Sequence, residues 1–339
     1  MKIADIDLDQ KVLIIAEIGN NHEGSVGLAE EMIGLAAESG ADAVKFQTIV
    51  PELLISVNQT ERIKQLNRFS LSFDEFERLS EVAKNQNVLF LSTPFDIDSI
   101  RILNPLVPAF KIASGDNQFF PLLEEVAKTA KPVLLSTGFL SLEDTVRSKD
   151  FIFHIWEERG IKQELALLHC ISCYPTLNSD ANLLAIRSLK RLGVTVGYSD
   201  HTMGTEAAVL AVGLGARIIE KHFTINKKYS GFRDHQLSAD PNEMGELVKR
   251  VRTAVQMLGS SEKKPVECEE SVKKSVQRSI GARIDLDKGV RLQWNHLSWV
   301  RPGNGLAPGR EQEIIGRVVR RPISRGELIL PQDLEKEGS

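Results

Sequence analysis

The chain has 339 residues, of which 42% are apolar and 26% are charged, values typical of a globular protein with a large core. At about 150 residues per domain, this length predicts two domains. Forty-two basic and 46 acidic side chains give a net charge of −4, which argues against sequence-independent binding to nucleic acid, because such binding needs a basic face. The sequence shows no secretion signal and no apolar stretch of the ~20 residues that a membrane span requires. Its three cysteines form no disulfide framework, so we expect a cytoplasmic protein.

Short apolar runs alternate with longer amphipathic stretches between residue 11 and residue 259. Each run is too short for a buried helix and lacks strict polar alternation, the pattern of parallel strands covered on both faces. The eight runs begin at Val12, Ala43, Val88, Ala109, Pro132, Leu165, Val194 and Ala216. This pattern predicts an α/β fold, a (β/α)8 TIM barrel over residues 1–259. An open doubly wound sheet is the alternative, but residues 19–24 do not match its GxGxxG fingerprint.

The character of the sequence changes after Gly259. Residues 260–274 are charged and nearly free of aliphatic side chains, which is typical of a linker. Residues 275–339 contain short β-like runs separated by turn signals. They predict a small β-rich domain of about 65 residues.

Reactive polar residues follow every apolar run. In a TIM barrel the active site lies at the C-terminal ends of the strands, and no run here passes into a turn without such a residue. In chain order they are Glu17, Lys45, Gln47, Ser92, Thr93, Lys111, Ser114, Asp116, Ser136, Thr137, His169, Ser172, Tyr174, Ser199, Asp200, His201, Glu220, Lys221 and His222. This distribution favours a catalytic mouth over a scaffold.

Two lysines indicate the chemistry of that mouth. Lys45 and Lys111 occupy strand positions that valine, isoleucine and phenylalanine otherwise fill, and they lie near Ser114, Ser136 and Ser199. Cations with short hydroxyls and a glycine-opened backbone form an anion site, best suited to phosphate. The alternative is that each lysine packs in the barrel and extends its amine to solvent.

Two histidines suggest a metal. His201 and His222 end adjacent runs, and strands ~4.8 Å apart allow two imidazoles to reach one divalent ion with positions left for water or substrate. The alternative is a pair of hydrogen-bonded histidines without an ion. His22 and His235 are less constrained, although Asp234 and His235 could also face the mouth.

Taken together, the motifs resemble those of the sialic acid synthases. The segment IIAEIGNNHEG at residues 14–24 resembles the opening motif of that family, and the remaining matches follow in the same order. They lie at residues 44–48, 92–96, 111–116, 168–176, 197–202 and 220–224. Residues 301–305, RPGNG, resemble the small antifreeze-like (SAF) domain that ends these enzymes.

The resemblance implies a metal-assisted transferase that condenses phosphoenolpyruvate (PEP) with an N-acylated amino-hexose aldehyde. It makes His201 and His222 ligands of Mn²⁺ or Mg²⁺ and assigns acid/base roles to Glu17 and Asp116. It also implies that Arg301 reaches into the barrel of a second subunit, as in a domain-swapped homodimer. The residues that it assigns to substrate binding are Lys45, Gln47, Lys111, Ser114, Ser136, Ser172, Tyr174, Ser199 and Asp234.

Two positions depart from the resemblance. Some relatives have glutamate where this chain has Asp116, and asparagine where it has Ser172. Aspartate is one methylene shorter, so the role of Asp116 could require a water molecule. Ser172 can still donate a hydrogen bond to an anion, with a shorter reach.

Other readings of the sequence remain open. A Schiff-base aldolase or lyase would use Lys45, Lys111 or Lys221 as its nucleophile. A sugar- or ice-binding protein is suggested only by the tail. Within the synthase reading, N-acetylmannosamine is the first acceptor that we expect. The alternatives are its 6-phosphate, mannose and the diacetamido-hexoses that lead to legionaminic or pseudaminic acid.

Overall fold

The computed structural model describes residues 1–335 of the chain. The chain divides into two compact units, Met1–Gly259 and Ser260–Ser339. None of the helices within the described residues combines the length and the apolar character that crossing a bilayer requires.

The first unit is the predicted barrel. Its strands are β1 (Lys2–Ile3), β2 (Ile6–Asp7), β3 (Leu13–Gly19), β4 (Ala43–Thr48), β5 (Leu89–Pro94), β6 (Phe110–Ile112), β7 (Val133–Ser136), β8 (Leu165–Cys170), β9 (Thr195–Asp200) and β10 (Ile218–His222). Eight of them, all parallel, pair in the order β5-β4-β3-β10-β9-β8-β7-β6, and β5 and β6 at the two ends contact each other. The eight predicted runs therefore form the eight barrel strands, and the TIM-barrel prediction is confirmed.

Helices surround the barrel and pack an apolar layer against the outer faces of its strands. They are α1 (Val26–Glu38), α2 (Pro51–Leu54), α3 (Thr60–Phe69), α4 (Phe73–Asn85), α5 (Ile97–Leu103), α6 (Phe120–Lys128), α7 (Leu142–Glu158), α8 (Ala185–Lys190), α9 (Glu206–Gly213), α10 (Arg233–Leu237) and α11 (Pro241–Leu258). Five of them begin at a side chain that accepts a hydrogen bond from the backbone N–H three residues later, a stabilising N-cap. These caps are Ser25, Ser72, Asp96, Ser141 and Asp240.

The interior of the barrel is layered from apolar to polar. Alternate residues of a strand face the same side, so Leu13 and Ile15 of β3 join a buried apolar cluster inside the barrel, whereas Glu17 lies above it. The short β1–β2 hairpin adds Met1 and Ile3 to this cluster. The apolar layers therefore occupy the N-terminal end, and the C-terminal end is left to polar side chains.

The second unit has its own small core. The antiparallel pair β11 (Ser279–Ala282) and β12 (Leu297–Val300) forms its main ladder. Buried aliphatic side chains from across residues 280–334 fill its interior, including Ile280, Leu297 and Ile329. This agrees with the predicted β-rich SAF-like domain.

The segment predicted as a linker differs from a structureless chain. Helix α12 (Glu267–Val276) begins inside residues 260–274, and none of its residues is buried. Glutamates in its first turn and lysines in its last turn suit the helix dipole. The charged composition that indicated a linker is therefore also that of a solvent-exposed helix.

Close packing inside the barrel can be tested at a glycine of β9. A Cβ at Gly197 would lie 2.8 Å from Ile218 Cβ and 3.1 Å from Leu168 Cγ. We expect Gly197→Ala to lower the free energy of unfolding by about 1–3 kcal/mol, because the packed barrel must shift to admit a methyl group. Gly34→Ala is the control, since a Cβ at this half-buried position of α1 meets nothing within 4 Å, and it should raise stability by up to ~1 kcal/mol. Urea unfolding measures both, and equal effects would contradict the packing argument.

Candidate active site

A cavity of about 1140 Å³ opens at the C-terminal ends of the barrel strands. This is above the ~300–1,000 Å³ of most small-molecule sites, so two small ligands can be held together. Every barrel strand, or the loop that follows it, contributes to the wall. The polar residues of the inner wall are Glu17, Lys45, Gln47, Thr93, Lys111, Ser114, Ser136, Cys170, Ser172, Tyr174, Ser199, His201, Glu220 and His222.

Four buried charges form the floor of the cavity, and we call Glu17, Lys45, Lys111 and Glu220 the charged quartet. Lys45 Nζ lies 2.7 Å from Glu17 Oε2 and 3.7 Å from Glu220 Oε2. Lys111 Nζ lies 3.8 Å from Glu220 Oε1, which also accepts a 2.8 Å hydrogen bond from Ser199 Oγ. All four charged side chains are at most 7% exposed. Two cations and two anions balance, so the floor is neutral before a ligand binds.

Neighbouring polar groups hold the quartet in place. Gln47 Nε2 donates to Glu17 Oε1 at 2.9 Å, and Lys45 Nζ donates to Thr93 Oγ1 at 3.1 Å. Lys111 Nζ donates to the carbonyl of Ile112 at 3.0 Å. These bonds fix where each charge points, which a preorganised site requires.

Burial and neighbouring charges shift the pKa values of Glu17 and Glu220 in opposite directions. Burial and the nearby Glu220 raise the pKa of Glu17, against the effect of Lys45. Burial also raises the pKa of Glu220, but Lys111 and Lys45 outweigh it, so that pKa is lowered. Glu220 is therefore the permanent anion of the floor, and Glu17 is the carboxyl better placed to exchange a proton.

The pKa values of Lys45 and Lys111 are also shifted in opposite directions. Burial lowers the pKa of Lys45, but Glu17 and Glu220 raise it more, and the net shift is upward. Burial lowers the pKa of Lys111, and Glu220 does not fully offset it. Lys45 is thus the more firmly protonated of the two.

Serine hydroxyls converge beside the lysines. A Cβ at Gly138 would overlap Ser114 Oγ, at 2.5 Å, and Ser172 Oγ. Asn117 Nδ2 donates to the carbonyls of Gly138 and Ser136 at 2.8 and 3.1 Å and so holds this loop. Within the described residues, the buried Ser136 Oγ has no hydrogen-bond partner. A buried donor without a partner marks a place that a bound ligand can satisfy.

Two imidazoles face each other on one side of the cavity. The rings of His201 and His222 lie 5.4 Å apart, and the ring of Tyr174 lies 4.2 Å from that of His201. His201 Nδ1 lies 2.8 Å from the carbonyl of Ile171, which fixes the proton on Nδ1 and leaves the lone pair on Nε2. Burial lowers the pKa of His222 well below its usual value, and its Nδ1 has no partner in residues 1–335. Burial lowers the pKa of His201, but its contacts with Cys170 and the carbonyl of Ile171 outweigh burial, so that pKa is raised. In its neutral form each ring has a nitrogen lone pair that can bind an ion.

All of the first-unit residues to which the resemblance assigns a role, except Asp116, line the cavity. Asp116 follows Ser114 and Gly115 in the turn after β6, where its own N–H bonds the carbonyl of Ala113, and it is not part of the cavity wall. Arg301 is exposed in the second unit, directly after β12. Their predicted roles stay predictions.

The comparisons with known proteins agree with this architecture. The sequence profile of the NeuB family matches residues 32–263, and that of the SAF domain matches residues 277–335. The chain belongs to the NeuB family.

Named relatives share the full length of this NeuB chain. The N,N'-diacetyllegionaminic acid synthase of Legionella pneumophila is 39% identical, over 95% of this chain and 94% of the relative. The human N-acetylneuraminate-9-phosphate synthase is 31% identical, over 96% of this chain and 93% of the relative. A crystal structure of the N-acetylneuraminic acid synthetase of Leptospira borgpetersenii superimposes with a TM-score of 0.75 and 35% identity, over 80% of this chain and 94% of that one. The relatives are synthases of nonulosonic acids, and this chain is an enzyme of their family.

The sequence reasoning noted Glu220 at a strand end but assigned it no role. A signal for that role was present: Glu220 is two residues before His222 on the same strand, so both side chains face the same side. The intervening Lys221 instead points away and donates to Asp200 Oδ2 at 2.9 Å. Period-two alternation thus separates the residue that faces the cavity from the one that supports the barrel.

The outer wall of the cavity was also not predicted from the sequence. It includes Arg62 and Arg68 of α3, Glu23 and Arg233. Helices α3 and α10, which carry the arginines, belong to two connections between strands that are far apart in the chain. The sequence of a hydrophilic connection gives no signal of where its side chains point.

Asp116 offers a test through the pH dependence of stability. Burial raises the pKa of Asp116 from its usual value to about 6, and one carboxylate oxygen is buried without a partner among residues 1–335. Because the folded pKa is raised, this group costs little stability below pH 4, and the cost grows as the pH rises to about 6. We expect Asp116→Asn to raise the free energy of unfolding by about 1–2 kcal/mol at pH 8 and by much less at pH 4. Urea unfolding at both pH values measures this, and a gain that is the same at both would exclude ionisation as its cause.

Proposed function

We propose that this enzyme condenses PEP with the open-chain aldehyde of an N-acylated amino-hexose, giving a nonulosonic acid and phosphate. The observation that carries the proposal is the pair of buried lysines beside converging serine hydroxyls, at the bottom of a cavity large enough for a second ligand. N-acetylmannosamine is the first acceptor to test. Diacetamido-hexoses that lead to legionaminic or pseudaminic acid and a 6-phosphorylated sugar are the alternatives.

PEP would bind on the floor of the cavity. Its phosphate and carboxylate need several donors, and Lys45, Lys111 and the hydroxyls of Ser114, Ser136 and Ser172 in the cavity wall would supply them. The unpartnered Ser136 Oγ would gain its missing bond. A charge-assisted hydrogen bond is about twice as strong as a neutral one, which suits a trianionic ligand.

The reaction would proceed by carbon–carbon bond formation and then loss of phosphate. PEP C3 attacks the aldehyde carbon, and the aldehyde oxygen takes a proton and becomes a hydroxyl. Water adds at C2 and gives up a proton, the C2–O bond to phosphate breaks, and the remaining C2 hydroxyl becomes the ketone. Glu17, with its raised pKa, is suited to take the proton of the water, while the anionic Glu220 stabilises positive charge that develops at C2.

A divalent cation, Mn²⁺ or Mg²⁺, would be held by His201 and His222. The residues fit such an ion, because both rings line the cavity, His201 is held by its Nδ1 so that Nε2 is left to bind, and His222 Nδ1 has no hydrogen-bond partner within residues 1–335. Within residues 1–335 no cluster of three or more histidine, cysteine or acidic side chains surrounds a possible metal position, so water and substrate would complete the coordination. When bound, the ion supplies a Lewis acid that polarises the aldehyde oxygen.

A Schiff-base reaction is the second candidate. The lowered pKa of Lys111 favours it, since a neutral amine is the nucleophile. The quartet opposes it, because Lys111 Nζ donates to the Ile112 carbonyl and lies beside the anionic Glu220. Trapping of a covalent adduct by borohydride would support this candidate against the condensation.

The proposed function is tested by incubating the protein with PEP, Mn²⁺ and each acceptor. We expect phosphate release that depends on the acceptor, and a product whose mass is that of the nonulosonic acid. PEP labelled with ¹⁸O at the bridging oxygen should transfer the label to phosphate, because the C–O bond breaks. Label retained in the keto acid, or no phosphate release with any acceptor, would contradict the condensation.

Exhaustive chelation, His201→Ala and His222→Ala should each reduce turnover at least ~100-fold, and full activity after chelation would exclude the metal.

The serine hydroxyls can be tested at Gly138. A methyl group there overlaps Ser114 Oγ and Ser172 Oγ, so Gly138→Ala should raise the KM for PEP about tenfold or more by displacing donors to the phosphate. The KM for the acceptor should change much less. Gly115→Ala is the matched control in the same wall, because a Cβ there meets nothing within 4 Å. Equal changes in both KM values, or equal effects of the two variants, would contradict the assignment of this loop to PEP.

A further inference from the structure

Three arginines line the outer half of the cavity, away from the charged quartet. Arg62 and Arg68 come from α3, and Arg233 begins α10. All three are exposed, whereas the four side chains of the quartet are buried. Arginine offers a planar fork of donors that matches phosphate and carboxylate oxygens.

The charge of this outer half is not balanced. Arg62 donates to Gln65 at 2.6 Å. Within residues 1–335, neither Arg62 nor Arg68 lies within ion-pair distance of a carboxylate, whereas the arginine Arg78 of the adjacent helix α4 pairs with Glu30 at 2.5 Å. The outer half therefore holds guanidinium groups that no protein anion neutralises.

The outer carboxylates are already engaged. Arg233 Nε lies 3.3 Å from Asp234 Oδ1, which leaves the terminal nitrogens of Arg233 free to donate. Glu23 Oε1 accepts from Ser230 Oγ and lies 3.1 Å from His235 Nε2. Within residues 1–335, neither acid forms an ion pair with Arg62 or Arg68; Asp234 pairs with Arg233, and Glu23 pairs with His235.

Packing contacts fix the segments that carry Arg68 and Arg233. The rings of Phe69 and Phe232 lie 5.0 Å apart, so the end of α3 packs against the start of α10. Arg233 also lies over the ring of Tyr174, 5.1 Å from its centre, a stabilising cation–π contact. Gly24 approaches the carbonyl of Arg68 so closely that a Cβ would overlap it. The backbone at Arg68 and the side chain of Arg233 are therefore held in place by packing.

We propose that this arginine cluster (Arg62, Arg68 and Arg233) binds an anionic group on the acceptor, and that the acceptor is a phosphomonoester. The inference rests on the proposed function. If PEP occupies the floor, the acceptor aldehyde must point down toward PEP C3. The other end of the sugar then faces the opening, where the guanidinium groups lie. A phosphate at that end would receive paired hydrogen bonds from arginine.

The test compares N-acetylmannosamine with its 6-phosphate at saturating PEP. We expect the phosphorylated acceptor to have the higher kcat/KM by at least tenfold. Arg62→Gln, Arg68→Gln and Arg233→Gln should each lower kcat/KM for the 6-phosphate about tenfold more than for the neutral sugar, the value for one charge-assisted contact. Lys64→Gln is the matched control, since Lys64 is an exposed cation on the same helix that pairs with Glu61 and does not line the cavity. It should leave both values unchanged.

The outcomes that overturn the inference differ from those that overturn the proposed function. Turnover of a neutral acceptor with no gain from phosphate would leave the synthase proposal standing and exclude the anion subsite. Equal losses with both acceptors, reversed by salt, would mean that the arginines only attract PEP. If no acceptor is turned over, calorimetric titration with N-acetylmannosamine 6-phosphate and with the neutral sugar still decides the point. Binding of the phosphorylated sugar that the arginine variants weaken supports the subsite, and equal binding of both sugars refutes it.

Discussion

The mutual compensation of four buried charges is the constraint on which this site depends. An isolated ammonium or carboxylate inside a barrel would cost several kcal/mol, so Lys45 and Lys111 can be buried only because Glu17 and Glu220 lie among them. The strands must therefore hold these side chains to within a fraction of an ångström. Removing any one of the four leaves a net charge that the low-dielectric interior cannot screen.

The apolar layers beneath the quartet make that positioning possible. Leu13, Ile15 and Ile218 pack inside the barrel below the charged layer, and they are fully buried. Hydrophobic burial there supplies stability that the polar layer does not. The division between a stable N-terminal end and a reactive C-terminal end is thus a division of layers along the same strands.

The floor and the rim of the cavity are built differently. The floor uses residues on strands, whose geometry varies little, and it would hold the ligand that every member of such a family shares. The rim uses α3, α10 and the loops around them, whose sequence can change without disturbing the barrel. Acceptor choice is therefore expected to lie with residues such as Arg62 and Arg233, and whole-chain identity to relatives says little about it.

Much of this protein was determined by its sequence alone. The eight apolar runs, each followed by reactive polar residues, predicted the barrel and nearly all of the inner wall, because strand alternation and a shared C-terminal edge follow directly from residue order. Tertiary structure decided the rest. Strand register assigned Glu220 to the cavity and Lys221 to a bond with Asp200, and a tight turn left Asp116 out of the wall. Contacts between distant loops, such as Phe69 with Phe232, brought together the segments that carry the arginines, and no local pattern encodes a contact between residues so far apart in the chain.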